Sequence, residues 1–380
     1  MNNLDKQYLD LLRDIKENGV RKVGRNGATY SVFGRQIRHD MSEGFPLLTT
    51  KKMWFKGIRT ELEWFLNGDT NIKYLVERGN NIWVGDAYKR YKEYFKGESE
   101  RIQKELNKNN FAWSDSLYAD RIYNSEQEFI KEIKNNNRFA EKWGDMGHIY
   151  GWQWRKWEKY IVHSKQKVHG KVDNFYIINT IIEQIDQIQN LIDDLQNKPD
   201  SRRIMVNAWN VGEIDDMVLP PCHYGFQVWT RELTLKERKE LFKEKFDRTI
   251  EDFDAEWETN GTSYEEDLDF NNIPKRGISL IWNQRSVDTP LGLPFNIASY
   301  GLLLKMIADE VNMVPLELIG NLGDTHIYEN QLEGVEKQLK RESHPLPTLF
   351  VRDGIYSRGE FDIVLENYES EDKIEFPLSN

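Results

Sequence analysis

Apolar residues recur at helical spacing at the start of the chain. Leu4, Tyr8, Leu11, Leu12 and Ile15 share one face, and the pattern stops at Gly19. Steps of three and four residues put such positions on one side of an α-helix, so residues 4–18 predict an amphipathic helix closed by glycine. The pattern returns over 57–67 with Ile58, Leu62, Phe65 and Leu66, ending at Gly68. A longer stripe, Ile178, Ile182, Ile185, Ile188, Ile192 and Leu195, predicts a helix over about 175–196, with Pro199 beyond it. Short apolar runs predict strands at 203–209, 224–230 and 278–283, and a late one at 361–368. Residues 295–312 predict a helix buried on most of its surface. Helices and strands interleave without βαβ regularity, so the expected class is α+β, with helices packed on a mixed β-sheet.

Two segments break this rhythm. Residues 85–143 are rich in Lys, Glu, Asn and Tyr, and residues 231–276 carry fourteen acidic against nine basic residues. Neither shows a sustained apolar stripe, so both are expected to be surface insertions into a single domain spanning 1–380. No internal repeat or low-complexity linker forces a boundary.

Composition narrows the classes. In 380 residues, 39% are hydrophobic, with 18 Phe, 17 Tyr and 12 Trp, enough for a substantial core. No run of eighteen apolar residues occurs, and the N-terminus lacks a basic stretch followed by an apolar one. A cytoplasmic protein without membrane contact is expected. The net charge of −11 argues against a broad nucleic-acid footprint but leaves room for a small anionic ligand.

Candidate chemistry begins with the single cysteine, Cys222, in the run LPPCH at 219–223. A lone thiol builds no intramolecular disulfide and no CxxC site, and two readings remain. It is a small buried hydrophobe, or it is a nucleophile aimed by the two prolines before it. Other polar clusters resist a packing explanation. Asp200-Ser201-Arg202-Arg203 precedes an apolar strand, Gln284-Arg285-Ser286-Val287-Asp288 follows one, and Gly323-Asp324-Thr325-His326-Ile327-Tyr328 is expected to open a helix. An arginine at a strand end is ordinarily a solvated surface residue. Four of them, Arg25, Arg202, Arg203 and Arg285, would instead suit a phosphate clamp.

Longer runs carry a resemblance: FPLLTTKK (45–52), ELEWFLNGDTNI (61–72), YGWQWRKW (150–157), DSRRIMVNAWNVGEID (200–215), LPPCH, QRSVDTPLGLPFNIASY (284–300) and GDTHIY (323–328). In this order they resemble the thymidylate synthase family, which includes the phage deoxynucleotide hydroxymethylases. The resemblance implies one-carbon transfer from 5,10-methylenetetrahydrofolate, without metal, to C5 of dUMP. Cys222 would add to C6, and Glu61 would serve O4 through an ordered water. Tyr150, His223 and Asn207 would assist removal of the C5 proton. Arg25, Gln284, Arg285, Ser286 and Asp288 would bind the nucleotide, with His326 and Tyr328 on the 3′-hydroxyl. Asn296 would read the base, favouring uracil over cytosine. Arg202 and Arg203 would act from a partner subunit, which implies a homodimer with shared sites. Lys51, Ile82, Trp83, Asp288, Leu291, Gly292, Phe295 and Asn380 match positions that contact folate.

Departures gather on the folate side. Val84-Gly85-Asp86 stands where the family has Asp-Glu-Trp, Asn283 replaces a tyrosine, and the turn after Arg25 is one residue short. The chain ends Pro377-Leu378-Ser379-Asn380, more polar than the family's apolar tail. A wetter folate side would let water attack the exocyclic methylene. The expectation is therefore dUMP hydroxymethylation, with hydride transfer to dTMP as the alternative.

Overall fold

The computed structural model describes residues 1–24, 26–108, 125–169, 174–246, 264–352, 354–356 and 361–378, without the side chains of 98–99, 102–108, 166–169 and 174–179. Arg25, Ser379 and Asn380 lie outside the described residues, as do 109–124 and 247–263 of the two charged segments.

In chain order the elements are α1 (Asn3–Asn18), β1 (Val20–Gly24), β2 (Gly27–Asp40), α2 (Phe55–Leu66), α3 (Lys73–Glu77) and α4 (Val84–Lys108). There follow α5 (Glu126–Asn135), α6 (Asn137–Trp143), α7 (Tyr150–Lys156), β3 (Trp157–His169), β4 (Asn174–Ile185), α8 (Gln187–Asn197) and β5 (Met205–Asn207). The chain continues through β6 (His223–Glu232), α9 (Leu235–Phe246), α10 (Tyr264–Phe270), β7 (Arg276–Asp288), α11 (Leu293–Glu310) and β8 (Val314–Tyr328). It closes with α12 (Leu332–Gln338), β9 (Thr348–Val351) and β10 (Ile363–Glu366). The class is α+β, helices with a mixed sheet. Two compact units divide the chain: Met1–Trp54, Gln189–Val206 and Cys222–Ser379 form the first, Phe55–Ile188 and Asn207–Pro221 the second.

The first unit is organised by a six-stranded sheet in the order β1-β2-β8-β7-β6-β5. The β1–β2, β2–β8 and β6–β7 pairs are antiparallel, whereas β7 and β8 run parallel. A parallel pair needs a crossover, and α11 supplies it. That helix is apolar nearly all round, and Leu302, Leu303, Leu304, Met306 and Ile307 are fully buried. Helix α1 starts where Asn2 accepts the Asp5 N–H, and it ends at Gly19, whose N–H bonds Ile15 O. Its apolar face is buried as the spacing predicts. The run Gly323–Tyr328 does not open a helix. It completes β8, paired with β2 from Phe33↔Asp324 to Thr29↔Tyr328, and the tight turn Glu329–Gln331 follows before α12. Alternation of Thr325 and Ile327 with polar residues is the strand period that the helical reading passed over.

The second unit is helical, with the β3–β4 hairpin attached. The helix expected over 175–196 is not one element. Residues Asn174–Ile185 form β4, in register with β3 through Tyr160↔Ile182 and Ile161↔Ile181, and helix begins only at Gln187. Adjacent β-branched residues, Ile177-Ile178 and Thr180-Ile181-Ile182, favour extended backbone and outweigh the helical spacing. Ile188, Ile192 and Leu195 alone keep the helical part of the stripe, and all three are buried.

Segment 85–143 does carry buried apolar positions. Ala87, Tyr88, Tyr91, Phe129, Ile133, Ala140 and Trp143 are buried, and Tyr91 meets Trp143 edge-on at 5.0 Å. Tyrosines scattered among lysines and glutamates read as polar in the sequence, yet their rings form this core. In the 231–276 segment Phe242, Leu268 and Ile273 make a small core of their own.

Candidate active site

In the first unit, Cys222 lies immediately before β6. Its carbonyl accepts the Arg285 N–H at 2.8 Å, so the backbone that carries the thiol is locked to the one that carries the guanidinium. The thiol is half-buried, Arg285 is exposed, and Ser286 is half-buried beside it. His223 is buried, and its Nδ1 stands 2.8 Å from the Tyr300 hydroxyl. Burial pulls the imidazole down to about 3, so it is neutral at physiological pH. The same burial raises Tyr300 well above the ordinary phenol range.

From Tyr300 a directed chain runs to Asn296. Its ring stacks on Trp282 at 5.3 Å, and the Trp282 indole N–H donates to Gln284 Oε1 at 3.2 Å. Gln284 Nε2 then donates to Ser286 O and to Asn296 Oδ1, both at 3.1 Å. An indole nitrogen only donates and a backbone carbonyl only accepts, so Gln284 has one usable amide orientation. Asn296 must therefore turn its oxygen to Gln284 and keep its NH₂ available. Four residues of strand and helix thus aim one donor.

A second cluster surrounds Asp288. Burial raises its carboxyl, and it accepts from Gln331 Nε2 at 3.2 and 3.1 Å and from the Leu291 N–H at 3.1 Å. His326 is buried at the end of β8, with Nδ1 3.2 Å from Asp324 O. Tyr328 is half-buried two residues on, and its ring meets His326 edge-on at 5.2 Å.

Lys51 is 4% exposed, donates to Pro290 O, and sits 4.8 Å from the Phe376 ring centre. Burial brings its ammonium down to about 7. Leu291 and Phe295 line a cavity of about 850 Å³ together with Lys51, Trp54, Phe376 and Pro377. Lys52 and Lys373 also line it and are the more open cations. Gly292 precedes α11 and is half-buried.

Arg202 and Arg203 lie on the approach to β5 and are both exposed, without an ion pair among the described residues. Arg25 and Asn380 lie outside the described residues.

The second unit holds the other candidates. Glu61 is 9% exposed on α2, and its Oε1 accepts the Trp83 indole N–H at 2.8 Å. Burial pushes this carboxyl up to about 7, against the pull of that hydrogen bond. Trp83 meets Tyr150 edge-on at 5.9 Å, and Tyr150 stacks on Phe65 at 4.7 Å. Ile82 is 40% exposed, unlike its neighbour Trp83 at 8%. Asn207 is held on its backbone by Gln187, which both donates to its carbonyl at 2.8 Å and accepts its N–H at 2.9 Å.

The sequence did not single out Tyr300, Trp282 or Gln331, which fix His223, Gln284 and Asp288. A core aromatic and a lone glutamine carry no signal until neighbours are known.

Among the described residues, no cluster of three or more His, Cys, Asp or Glu is placed to hold a metal ion, and no helix is long and apolar enough to cross a membrane.

A cysteine beside an arginine, with a directed amide in the same unit, suits covalent chemistry on a polar heterocycle. The comparisons agree. The thymidylate synthase family model matches residues 6–380. A thymidylate synthase of Listeria monocytogenes serotype 4b is 36% identical over 381 residues, covering 98% of this chain and 99% of that protein. One from Mesoplasma florum is 35% identical over 373 residues, covering 97% and 98%. The molecule is thus an enzyme, a one-carbon transferase. It belongs to the thymidylate synthase family, which uses methylenetetrahydrofolate.

Proposed function

We propose that the enzyme transfers the one-carbon unit of methylenetetrahydrofolate to C5 of dUMP and finishes as a synthase, releasing dTMP. The observation that carries the substrate reading is the directed amide chain: Asn296 offers N–H to O4 and a remaining lone pair to N3–H. That pattern matches uracil and opposes cytosine, whose N3 accepts and whose amino group donates. Arg285, fixed to Cys222 through its backbone, serves the phosphate, with Ser286 and Arg25. Arg202 and Arg203 serve it from the partner subunit of a homodimer, a reading supported by their exposure without ion pairs among the described residues. His326 and Tyr328 hold the 3′-hydroxyl.

Cys222 Sγ bonds to C6, and the displaced π pair moves toward C5 and O4. Glu61, which is protonated below about pH 7 in the free chain, supplies a proton toward O4 through water. Once C5 has gained the one-carbon unit, Tyr150, assisted by His223 and Asn207, would receive the C5 proton through solvent. The C6–S bond then breaks and returns the thiolate.

The cavity fits the folate: Trp54, Leu291, Phe295 and Phe376 offer flat apolar walls. When bound, the folate supplies the one-carbon unit and, in the synthase ending, a hydride. Because Lys51 is engaged with Pro290, exposed Lys52 is better placed than Lys51 for a terminal carboxylate.

The synthase ending is favoured by these apolar walls and by the relatives, which are thymidylate synthases. Hydroxymethylation remains as a second reading on one observation, Asp86 where the family has tryptophan. The test is incubation with dUMP and methylenetetrahydrofolate. Dihydrofolate absorbance rising one for one with dUMP loss, with dTMP by mass, supports the synthase. A product heavier by one oxygen, without that rise, establishes the second reading. No dUMP consumption refutes both.

A further inference from the structure

We infer that Gln331 is a positioning residue that ties the C-terminal tail to the folate side of the site and to the backbone of the sugar reader. Bonds to three partners define it. Its Oε1 accepts the Tyr328 N–H at 3.0 Å, which fixes the amide and forces Nε2 to the opposite side. There Nε2 donates to both oxygens of Asp288, at 3.2 and 3.1 Å, and to the carbonyl of Pro377 at 3.3 Å. One fully buried amide therefore joins the end of β8, the end of β7 and the tail.

No other side-chain type of this size does the same. The site needs one acceptor for an N–H and two donors, one for a carboxylate and one for a carbonyl. Glutamate lacks the donors, and leucine lacks everything but shape.

The neighbourhood is built for the tail in the docked position. Phe376, beside Pro377, lies against Gly334 on α12, where a Cβ would come within 2.5 Å of the ring. The same ring sits beneath the Lys51 ammonium and walls the folate cavity. Phe376 supplies apolar area, whereas Gln331 supplies direction, since a carbonyl bonded at 3.3 Å fixes the tail's register along α12.

This inference rests on the reading of Asp288 and Tyr328 given above. Through it, nucleotide held at Tyr328 steadies the amide that docks the tail, and a docked tail completes the wall that folate meets. Binding of one substrate then favours the other through one side chain.

The experiment compares the wild-type chain with Gln331→Leu, using hydrogen exchange across residues 374–378 in free protein and with dUMP. The tail segment of the variant should exchange roughly tenfold faster, while the peptides of α11 stay protected. In steady state the KM for methylenetetrahydrofolate should rise by roughly tenfold, with the dissociation constant of dUMP kept within about twofold. If Gln331→Leu fails to fold, Gln331→Glu decides by the same readings, since it keeps the acceptor for Tyr328 and removes both donors. Unchanged tail exchange overturns the proposal, and so does an equal loss of dUMP and folate affinity. A wild-type chain that does not turn over dUMP would refute the functional reading instead, and the ligand-free exchange would still judge the tie.

Discussion

Two buried titratable residues give the molecule opposite responses to pH. Glu61 stands at about 7 in the folded chain against an ordinary 4.5, so the fold holds an extra proton between those values. Its stabilising contribution is complete below pH 4.5 and is lost as pH rises through 7, about 3 kcal/mol by pH 8. His223 runs the other way, at about 3 against 6.5. Its contribution is complete above pH 6.5 and is lost as pH falls toward 3, about 2 kcal/mol at pH 5. Urea unfolding at pH 5, 7 and 8 should show Glu61→Gln flattening the alkaline loss and His223→Asn the acid one. Slopes equal to wild type in both variants would mean that neither group is held as described. Asn296→Asp should move the ratio of kcat/KM from dUMP toward dCMP, because a carboxyl can both accept from the cytosine amino group and, when protonated, donate to N3. An unchanged ratio would remove Asn296 as the base reader.

At the scale of elements, helix packing sets where Tyr150 stands. Gly151, the second residue of α7, lies against the backbone of Phe65 on α2, and a Cβ there would come within 2.4 Å of Phe65 O. Gly151→Ala must push the helices apart and disturb the stacking of Tyr150 on Phe65. The expected cost is about 1–3 kcal/mol, with kcat falling more than dUMP affinity. Unaltered stability and turnover would show that α7 gives way without moving Tyr150. The same unit tests the tyrosine-rich segment. Phe129, fully buried against Tyr88 and Tyr91, should cost about 3–5 kcal/mol on change to alanine, measured by thermal or urea unfolding. A loss below 1 kcal/mol would mark the segment as a loosely held surface piece.

For the whole molecule, the central expectation is shared sites in a two-fold dimer. A chain with Arg203→Ala mixed with one carrying Cys222→Ala should regain activity on subunit exchange. One site of the mixed dimer then holds an intact thiol and the partner's intact arginine. Recovery approaching one quarter of wild-type activity is the statistical expectation for random exchange, about one intact site in each mixed dimer. No recovery after verified exchange would mean that each subunit clamps phosphate alone.

The sequence by itself determined the class of fold and the family, and it named the candidate site residues, because those are local facts. Helical spacing announced α1, α2 and α11, and ordered motifs carried Cys222, Asn296 and Asp288. What it misread was decided by competition. The helical stripe at Ile178, Ile182 and Ile185 lost to β-branched neighbours once β3 offered a partner strand. The motif at 323–328 lost its helix because β2 pairs along it. Tertiary structure alone decided the states of the site residues. Neutral His223, raised Glu61 and the single orientation of Asn296 follow from burial and from donors and acceptors contributed by distant segments. Gln331 shows the limit most clearly: as a residue type it says nothing, and two of its three partners meet its amide only because folding brings residues 43 and 46 positions away to it.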